Sequence, residues 1–343
     1  MKTNTPIYFV LPEEKEKISG GNIYNQYFIE AVQRQYQPVY SIHFDEYSQA
    51  IHENREGMYW VDSLLLDRMK PLLPIHAPKT QSAFILHLLP SLFPPPKHTS
   101  QDIFENHEKE ILQYFKAFLV TSKFSKDYLL KRGFTAEPII VAPPALCLKS
   151  LQKRRELQGI QALIVSNIIP MKGILEFVKS LKKRGQKIEN QPFRLNIVGR
   201  TDMNEEYAHA CMEVVAHSPI LKNTVTFTGP IPHQEMHNYY YQSNLFISPS
   251  AMETFGMALQ EAKAFHLPIL ARKGGFIQDH IEQGINGYSF SSVGALTDYL
   301  LYLLDYPEAF ARLQNAAHQY SETLEDYSWE DAASIFLAGI NSL

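Results

Sequence analysis

The sequence predicts an α/β protein built from two parallel-sheet domains. Short apolar segments typical of buried strands alternate with longer segments typical of helices along the 343 residues. The alternation starts again after a charged segment at 149–158, and each half is long enough to form its own core. Strands that alternate with helices form parallel sheets with right-handed crossovers. We therefore expect two α/β units of similar size that meet at a cleft.

In the first half, the apolar segments predict six strands, at 7–11, 39–44, 59–66, 83–89, 117–121 and 139–141. Helices are expected after a glycine pair at 20–21 through residue 34, and at 102–115 and 123–132, with a shorter one between the second and third strands. The glycine pair either lets the backbone approach a ligand or belongs to a flexible loop.

The second half repeats this pattern. Strands are predicted at 162–165, 193–198, 225–227 and 245–247, followed by an apolar segment at 268–271. Helices are predicted at 173–184, 205–217 and 232–242, and the three tyrosines at 239–241 are assigned to helix packing. Gly274-Gly275 and Asn286-Gly287 are predicted turns, and a final helical region begins at Val293.

The stretch 248–265 connects a buried strand to a helix through small residues. Ser248, Pro249 and Ser250 end the strand, and Thr254 is expected to cap the helix. Gly256 allows the backbone to approach a ligand without a side chain in the way. The first-turn amides and the helix dipole both favour phosphate, so this stretch predicts an anion site.

Two glutamates flank this predicted helix start. Glu253 stands just before the helix and Glu261 two turns into it, about 12 Å further along the axis. That span is comparable to the reach from the hexose to the ribose of a nucleotide-sugar. Taken alone, two glutamates eight residues apart are more simply explained by an ordinary amphipathic helix.

Composition and charge exclude several classes of protein. The formal net charge of −4 lacks the basic excess of nucleic-acid-binding proteins. Cys147 and Cys211 show no ligand-like spacing or disulfide framework, which favours a reducing cytoplasm. The sequence has neither an apolar leader at 1–6 nor a run of about 20 apolar residues, so a soluble cytosolic protein is expected. The histidines lack H-E-x-x-H spacing, and no metal site is expected.

From residue 162 onward, several motifs resemble, in the same order, those of the family-4 retaining glycosyltransferases. The fold of that family is GT-B, two facing Rossmann-like domains with an inter-domain cleft. The motifs are V-S-N-I-I-P-M-K-G at 165–173, F-T-G-P-I at 227–231, E-x7-E at 253–261, a glycine-pair segment at 272–281 and Y-S-W-E-D-A-A at 327–333. The resemblance implies an acceptor domain at 1–155, a nucleotide-sugar donor domain at 156–325, and a helix at 326–343 that crosses back to the N-terminal domain.

The resemblance implies catalytic roles for three residues. Glu253 would bind hydroxyls of the transferred sugar, and Lys172 would neutralise the diphosphate as it leaves. His87 matches the position of a family histidine that touches the sugar. Without the resemblance, a histidine in an apolar strand is more simply interpreted as a core residue.

The resemblance also implies a set of donor-binding residues. Glu261 would accept hydrogen bonds from the ribose hydroxyls. Residues 254–256 would offer backbone amides to the phosphate and sugar, residues 229–231 would hold the base, and Gly21 would bring the backbone near the distal phosphate and the acceptor. The complete set is Glu261, Thr254, Phe255, Gly256, Gly21, Asn167, Gly229, Ile231 and Arg200.

One position departs from the family pattern. The family pairs its lysine with an arginine five positions earlier, and this sequence has Asn167 there. One positive charge near the pyrophosphate is therefore missing. Arg200, at the end of the next strand, either compensates for it or is a surface ion-pair partner.

The implied function is transfer of a hexosyl group from a UDP- or GDP-linked sugar to an acceptor hydroxyl, with retention and without a metal or other cofactor. The alternative is a GT-B partner subunit that binds nucleotide and catalyses weakly; an epimerase of the same fold is less consistent with the two glutamates. Expected acceptors are a carbohydrate, glycan, lipid or small molecule, and nucleic acid is excluded. The apolar loop at 92–97 allows peripheral membrane contact, although a rigid loop explains it more simply.

Overall fold

The computed structural model describes residues 5–13, 19–73, 75–93, 100–148 and 157–341. The chain divides into two compact units, Met1–Ala145 with Tyr327–Leu343, and Leu146–Asp326. Both units are α/β with parallel sheets, as the sequence predicts. The predicted boundary between 155 and 156, most of the linker segment 149–158 and residues 94–97 of the apolar loop lie outside the described residues.

The first unit contains, within its described residues, a sheet of six parallel strands. These are β1 (Ile7–Val10), β2 (Val39–Ile42), β3 (Gly57–Asp62), β4 (Thr80–Leu86), β5 (Phe118–Val120) and β6 (Ile139–Val141). Their order across the sheet is β2-β1-β3-β4-β5-β6. β3 is buried along its whole length, as expected for a strand covered on both faces.

The helices of this part of the chain are α1 (Gly20–Gln35), α2 (Phe44–His52), α3 (Leu66–Met69), α4 (Gln101–Leu112) and α5 (Lys123–Lys131). α1 begins at Gly20, so the prediction that the glycine pair precedes the helix is wrong. Ser19 caps α1 by accepting a hydrogen bond from the Asn22 amide at 3.1 Å. This cap offsets the weak helix propensity of glycine in the first turn.

The second unit also contains six parallel strands within its described residues. They are β7 (Ile160–Val165), β8 (Phe193–Val198), β9 (Val225–Gly229), β10 (Leu245–Ser248), β11 (Ile269–Arg272) and β12 (Gly287–Phe290), in the order β12-β11-β10-β7-β8-β9. The helices are α6 (Ile174–Lys183), α7 (Gly185–Ile188), α8 (Glu205–Ala216), α9 (Met236–Tyr241), α10 (Met257–Ala264), α11 (Val293–Asp305) and α12 (Pro307–Ser321). Apolar side chains of strands and helices pack on both faces of the sheet to form the core.

The last helix, α13 (Trp329–Ile340), belongs to the first unit. Its buried Phe336 packs against Phe28 and Trp60, with ring centroids 5.3 and 4.9 Å apart. Arg34 of α1 forms an ion pair with Glu330 at 2.7 Å. The helix is therefore fixed by apolar packing, with a charged contact at its exposed edge.

Two features of the C-terminal part differ from the sequence predictions. Gly287 is not only part of a turn but begins β12, whose residues are mostly half-buried and so lack a continuous apolar signal. The predicted single helical region after Val293 is three helices, because Pro307 starts a new helix and residues 322–328 are not helical. None of the helices in the described part of the chain has the length and apolar character needed to span a bilayer.

Candidate functional site

Three loops of the second unit meet at the carboxyl ends of neighbouring strands. β7, β10 and β11 are adjacent in the sheet, and backbone hydrogen bonds join the loops that follow them. Ala251 N donates to Met171 O at 2.9 Å, and Phe276 N donates to Glu253 O at 2.8 Å. Open α/β sheets bind ligands outside the carboxyl ends of their strands. This group of loops is therefore the candidate ligand site of the unit.

The structure brings Lys172 and Glu253, both predicted to be catalytic, into direct contact. Lys172 Nζ donates to Glu253 Oε1 at 2.5 Å, and each side chain is 19% exposed. Gly173 permits this approach of the two loops, since it has a φ of 67° and a Cβ at this position would lie 2.3 Å from Pro249 O. The pair holds a positive and a negative group at the surface of the site, where an anionic ligand can compete for the lysine.

The helix at the centre of the site begins later than the sequence predicts. Gly256 is the N-cap of α10 with a φ of 94°, so the predicted cap at Thr254 is wrong. Glycine is favoured at position 256 because the backbone there is left-handed and because a Cβ would lie 2.6 Å from Leu259 Cδ1. No side chain caps this end of the helix, and a helix N-terminus favours an anion.

The late start of α10 also changes the relation between the two predicted glutamates. Glu253 lies four residues before the first residue of the helix and Glu261 lies inside it, so the rise of a helix does not set the distance between the two carboxylates. Glu261 is buried, its Oε1 lies 2.7 Å from His233 Nε2, and its Oε2 accepts a hydrogen bond from Tyr240 OH at 2.7 Å. The two glutamates therefore occupy different environments with different partners.

Tyr240 and His233 were not predicted as functional residues. The sequence assigns Tyr240 only to helix packing, and its ring is indeed fully buried, but its hydroxyl also fixes the Glu261 carboxylate. Burial and the negative charge of Glu261 raise the pKa of Tyr240 well above its usual value, so the hydroxyl remains a donor. A carboxylate has up to four acceptor positions, so Glu261 retains capacity to accept from a ligand.

A buried histidine supports the loop that precedes α10. His280 Nε2 lies 2.7 Å from Phe255 O, and the ring packs edge-on against Phe255 and Phe276. Burial, together with the positive charge of Lys263, lowers the pKa of His280 to about 3. The neutral ring therefore donates Nε2–H to the Phe255 carbonyl and fixes the backbone of residues 254–256. No motif in the sequence points to this histidine.

The loops after β7, β8 and β9 place three further predicted residues in one region. Ile168 N, next to Asn167, donates to Arg200 O at 2.8 Å, and Gly199 N donates to Gly229 O at 3.1 Å. The Arg200 guanidinium forms an ion pair with Asp202, at 2.6 and 2.9 Å. Ile231, beyond Gly229, is half-buried against the packed core under α9 and α10. Backbone contacts thus align Asn167, Arg200 and Gly229 along the sheet edge.

In the first unit, the structure brings His87 and Gly21 together. His87 directly follows β4 rather than lying within it, and its side chain is 10% exposed. A Cβ on Gly21 would lie 3.2 Å from His87 Cδ2, so glycine lets the first turn of α1 approach the ring closely. Among the residues that the structure describes, no cluster of three or more His, Cys, Asp or Glu side chains could hold a metal ion.

Two α/β units with parallel sheets, and a ligand site at the strand ends of the second, define a GT-B protein. Solved structures with this fold cover nearly the whole chain. Sucrose-phosphate synthase from Thermosynechococcus elongatus aligns with a TM-score of 0.79 and 17% identity over 99% of both chains. HepE from Anabaena, solved with UDP and glucose, aligns with a TM-score of 0.71 and 14% identity over 99% of this chain and 100% of that chain. The predicted GT-B fold is confirmed.

The family follows from the sequence profile of Glycosyl transferases group 1, which matches residues 150–320, about half of the chain. The lipopolysaccharide 1,2-N-acetylglucosaminetransferase of Salmonella typhimurium is 28% identical over 249 residues, which are 67% of this chain and 63% of that protein. The chain thus spans less than two thirds of the length of this relative. The protein belongs to this glycosyltransferase family, so the predicted resemblance to the family-4 enzymes is confirmed.

Proposed function

We propose that the protein is a retaining glycosyltransferase that moves a hexosyl group from a UDP- or GDP-linked sugar to an acceptor hydroxyl. The observation that carries this proposal is the contact between Lys172 and Glu253 beside the uncapped start of α10. A cation, a carboxylate and the N-terminus of a helix are the groups needed to bind a sugar diphosphate.

In the proposed complex, the diphosphate takes the place of Glu253 as the partner of Lys172. The lysine then stabilises the negative charge that develops on the leaving diphosphate, together with the first-turn amides of α10. Glu253, released from the lysine, accepts hydrogen bonds from hydroxyls of the transferred sugar. In this proposal, donor binding replaces the 2.5 Å contact between Lys172 and Glu253 by a contact between Lys172 and the diphosphate.

The nucleoside part of the donor is assigned to Glu261 and to the backbone at 229–231. Glu261 accepts hydrogen bonds from the ribose hydroxyls while His233 and Tyr240 keep its carboxylate in place. Backbone groups at 229–231 hold the base. In the first unit, His87 contacts the transferred sugar and Gly21 approaches the distal phosphate and the acceptor.

The chemistry proposed needs no protein nucleophile and no metal. The leaving diphosphate accepts the proton of the acceptor hydroxyl on the face from which it departs, so the configuration at the anomeric carbon is retained. The protein contributes positioning and charge stabilisation. The proposed acceptor is a carbohydrate, glycan, lipid or small molecule, and peripheral contact with a membrane is compatible with the lipid case.

The test is Glu253→Ala, assayed with a donor that the wild-type protein uses. We expect a loss of transfer on the order of 100-fold or more, because an interaction with the reacting sugar is removed. Glu176→Ala is the matched control, since Glu176 forms a comparable ion pair with Arg272 at 3.2 Å but is 56% exposed on α6. Product stereochemistry, read by NMR, tests retention. Near-normal turnover of Glu253→Ala would refute the assignment.

A catalytically weak, nucleotide-binding partner subunit is the second candidate. Asn167 replaces the arginine of the family pattern, and the guanidinium of Arg200 is paired with Asp202. Calorimetric titration with UDP, GDP and ADP separates the candidates. Binding with transfer or donor hydrolysis supports the enzyme, binding without turnover on any acceptor supports the partner subunit, and no binding contradicts both.

A further inference from the structure

A buried chain of hydrogen bonds ends at His87. It starts at the Leu64 amide, which donates to Asp62 Oδ1 at 2.8 Å. Asp62 Oδ2 accepts from Asn25 Nδ2 at 2.6 Å, and Asn25 Oδ1 lies 2.9 Å from His87 Nε2. Asp62 is 0% exposed and Asn25 4% exposed. All four residues belong to the first unit, at the ends of β3 and β4 and on the buried face of α1.

The directions of these bonds are forced by the chemistry of the carboxylate. An ionised carboxylate only accepts hydrogen bonds, so Asn25 must turn its NH2 group to Asp62 and its Oδ1 to the histidine. Burial alone would raise the pKa of Asp62, but the adjacent His87 ring and the donors from Leu64 and Asn25 hold it below its usual value. The carboxylate is therefore ionised at neutral pH. It follows that His87 Nε2 carries a proton and donates to Asn25.

Other contacts hold the ring in this orientation. The His87 and Leu88 amides both donate to Ser63 Oγ, at 3.1 and 3.4 Å, which fixes the backbone of the residue. Tyr24 packs against the ring with centroids 5.3 Å apart, and Gly21 lies against its Cδ2 edge. Residues 21, 24 and 25 lie on the same face of α1, because side chains three and four positions apart are neighbours on a helix.

We propose that Asp62 and Asn25 are positioning residues that fix His87 in the Nε2–H tautomer, leaving Nδ1 as a hydrogen-bond acceptor for a hydroxyl of the transferred sugar. This inference rests on the proposed function, in which His87 contacts that sugar. Cleavage of the glycosidic bond develops positive charge on the sugar ring. An acceptor lone pair next to that charge stabilises it, whereas an N–H group pointing toward it opposes it.

The proposal makes a specific prediction for Asp62→Asn. The amide introduced at position 62 must keep its oxygen toward the Leu64 amide, so its NH2 group faces Asn25. Asn25 then has to turn its own oxygen toward position 62 and its NH2 group toward His87. Nε2 becomes the acceptor, and the neutral ring changes to the Nδ1–H tautomer. One isosteric substitution at Asp62, whose Oδ2 lies 3.5 Å from His87 Nε2, acts through Asn25 and thereby reverses the polarity of His87 Nδ1.

The tautomer is measured by ¹⁵N NMR of the full chain, in which the two ring-nitrogen shifts of a neutral histidine identify the protonated nitrogen. The signals of His87 are assigned by their absence in His87→Gln. We expect Nε2–H in the wild type and Nδ1–H in Asp62→Asn. Asp67→Asn is the matched control, because Asp67 contacts His107 Nε2 at 2.8 Å but is 85% exposed. It should leave the His87 signals and turnover unchanged.

Turnover supplies the second readout. With a donor that the wild type uses, Asp62→Asn should lower kcat by about 10- to 100-fold and change the donor KM much less, since the lost interaction is made in the transition state. The proposal is overturned if the wild-type ring is the Nδ1–H tautomer. It is also overturned if Asp62→Asn has the same tautomer as the wild type. A changed tautomer with unchanged kcat refutes the catalytic part. If the wild type transfers no sugar, the proposed function fails while the NMR test of the network still stands.

Discussion

Replacing Gly173 by alanine tests how closely the loop that carries Lys172 is fitted to the loop that carries Glu253. Gly173 has a φ of 67°, and alanine in the left-handed region costs about 1–2 kcal/mol. The added Cβ would lie 2.3 Å from Pro249 O, a backbone atom that cannot rotate away. Forcing such a contact apart costs about 1–3 kcal/mol. We expect Gly173→Ala to lower the free energy of unfolding of the second unit by about 2–5 kcal/mol.

Gly229→Ala is the matched control in the same unit. Gly229 has a φ of 76°, similar to that of Gly173, but nothing lies within 4 Å of a Cβ added there. Only the conformational cost applies, so the expected loss is about 1–2 kcal/mol. The difference between the two variants therefore isolates the contact with Pro249 O from the cost of the left-handed backbone.

Thermal unfolding by calorimetry measures both variants in the full-length chain. A unit of this size loses roughly 2–4 °C of Tm per kcal/mol, so the transition of the second unit should shift about 4–20 °C for Gly173→Ala and 2–8 °C for Gly229→Ala. Nucleotide affinity should also fall in Gly173→Ala, because the adjacent Lys172 moves with the loop. Equal shifts in Tm for the two variants would refute the reasoning that the loops are in steric contact at Gly173.

Two further predictions concern residues that support the site. Tyr240→Phe removes a hydrogen-bond donor from the buried Glu261 carboxylate. It should lower the free energy of unfolding, measured by urea unfolding, by about 1–3 kcal/mol, and weaken nucleotide binding, measured by calorimetry. Unchanged values in both measurements would contradict the assigned role of the hydroxyl. The pKa of His280 is lowered to about 3, so between that pH and its ordinary value of about 6.5 the unfolded chain binds a proton that the folded chain does not. The free energy of unfolding should therefore fall as the pH drops below about 6.5, by up to about 1.4 kcal/mol per pH unit. His280→Gln should flatten this pH dependence when both proteins are unfolded with urea at each pH. Equal slopes of unfolding free energy against pH in the wild type and the variant would contradict the buried neutral state.

The sequence predicts those parts of the site whose signals are local. The apolar run before Ser248, the small residues after it and the two glutamates together predict a ligand site at this strand end, and in the structure Lys172 and Glu253 are in contact there. The start of α10 was predicted two residues early, because Thr254 is a good capping residue and the left-handed conformation of Gly256 leaves no mark in the sequence.

Contacts between distant residues of ordinary type were not predictable. Tyr240 lies among three consecutive tyrosines, and only the packing of α9 against α10 shows that its hydroxyl reaches Glu261. His280 lies in the glycine-pair segment 272–281, but the resemblance gives this histidine no role. Asp62 and Asn25 are 37 residues apart, and the pairing of β3 with β1 brings them together. In each case the tertiary structure, rather than local propensity, selects the partner.

The different surroundings of the two glutamates indicate a division of labour in the proposed reaction. Glu253 is paired with the ammonium group of Lys172 in a partly exposed contact, and in the proposed complex a phosphate displaces Glu253 as the partner of that lysine. Glu261 is buried and fixed by Tyr240 and His233, so ligand binding does not require it to change partners. Charge develops at the diphosphate during transfer but not at the ribose. An exchangeable pair therefore suits the reacting end of the donor, and a fixed acceptor suits the end that only has to be held.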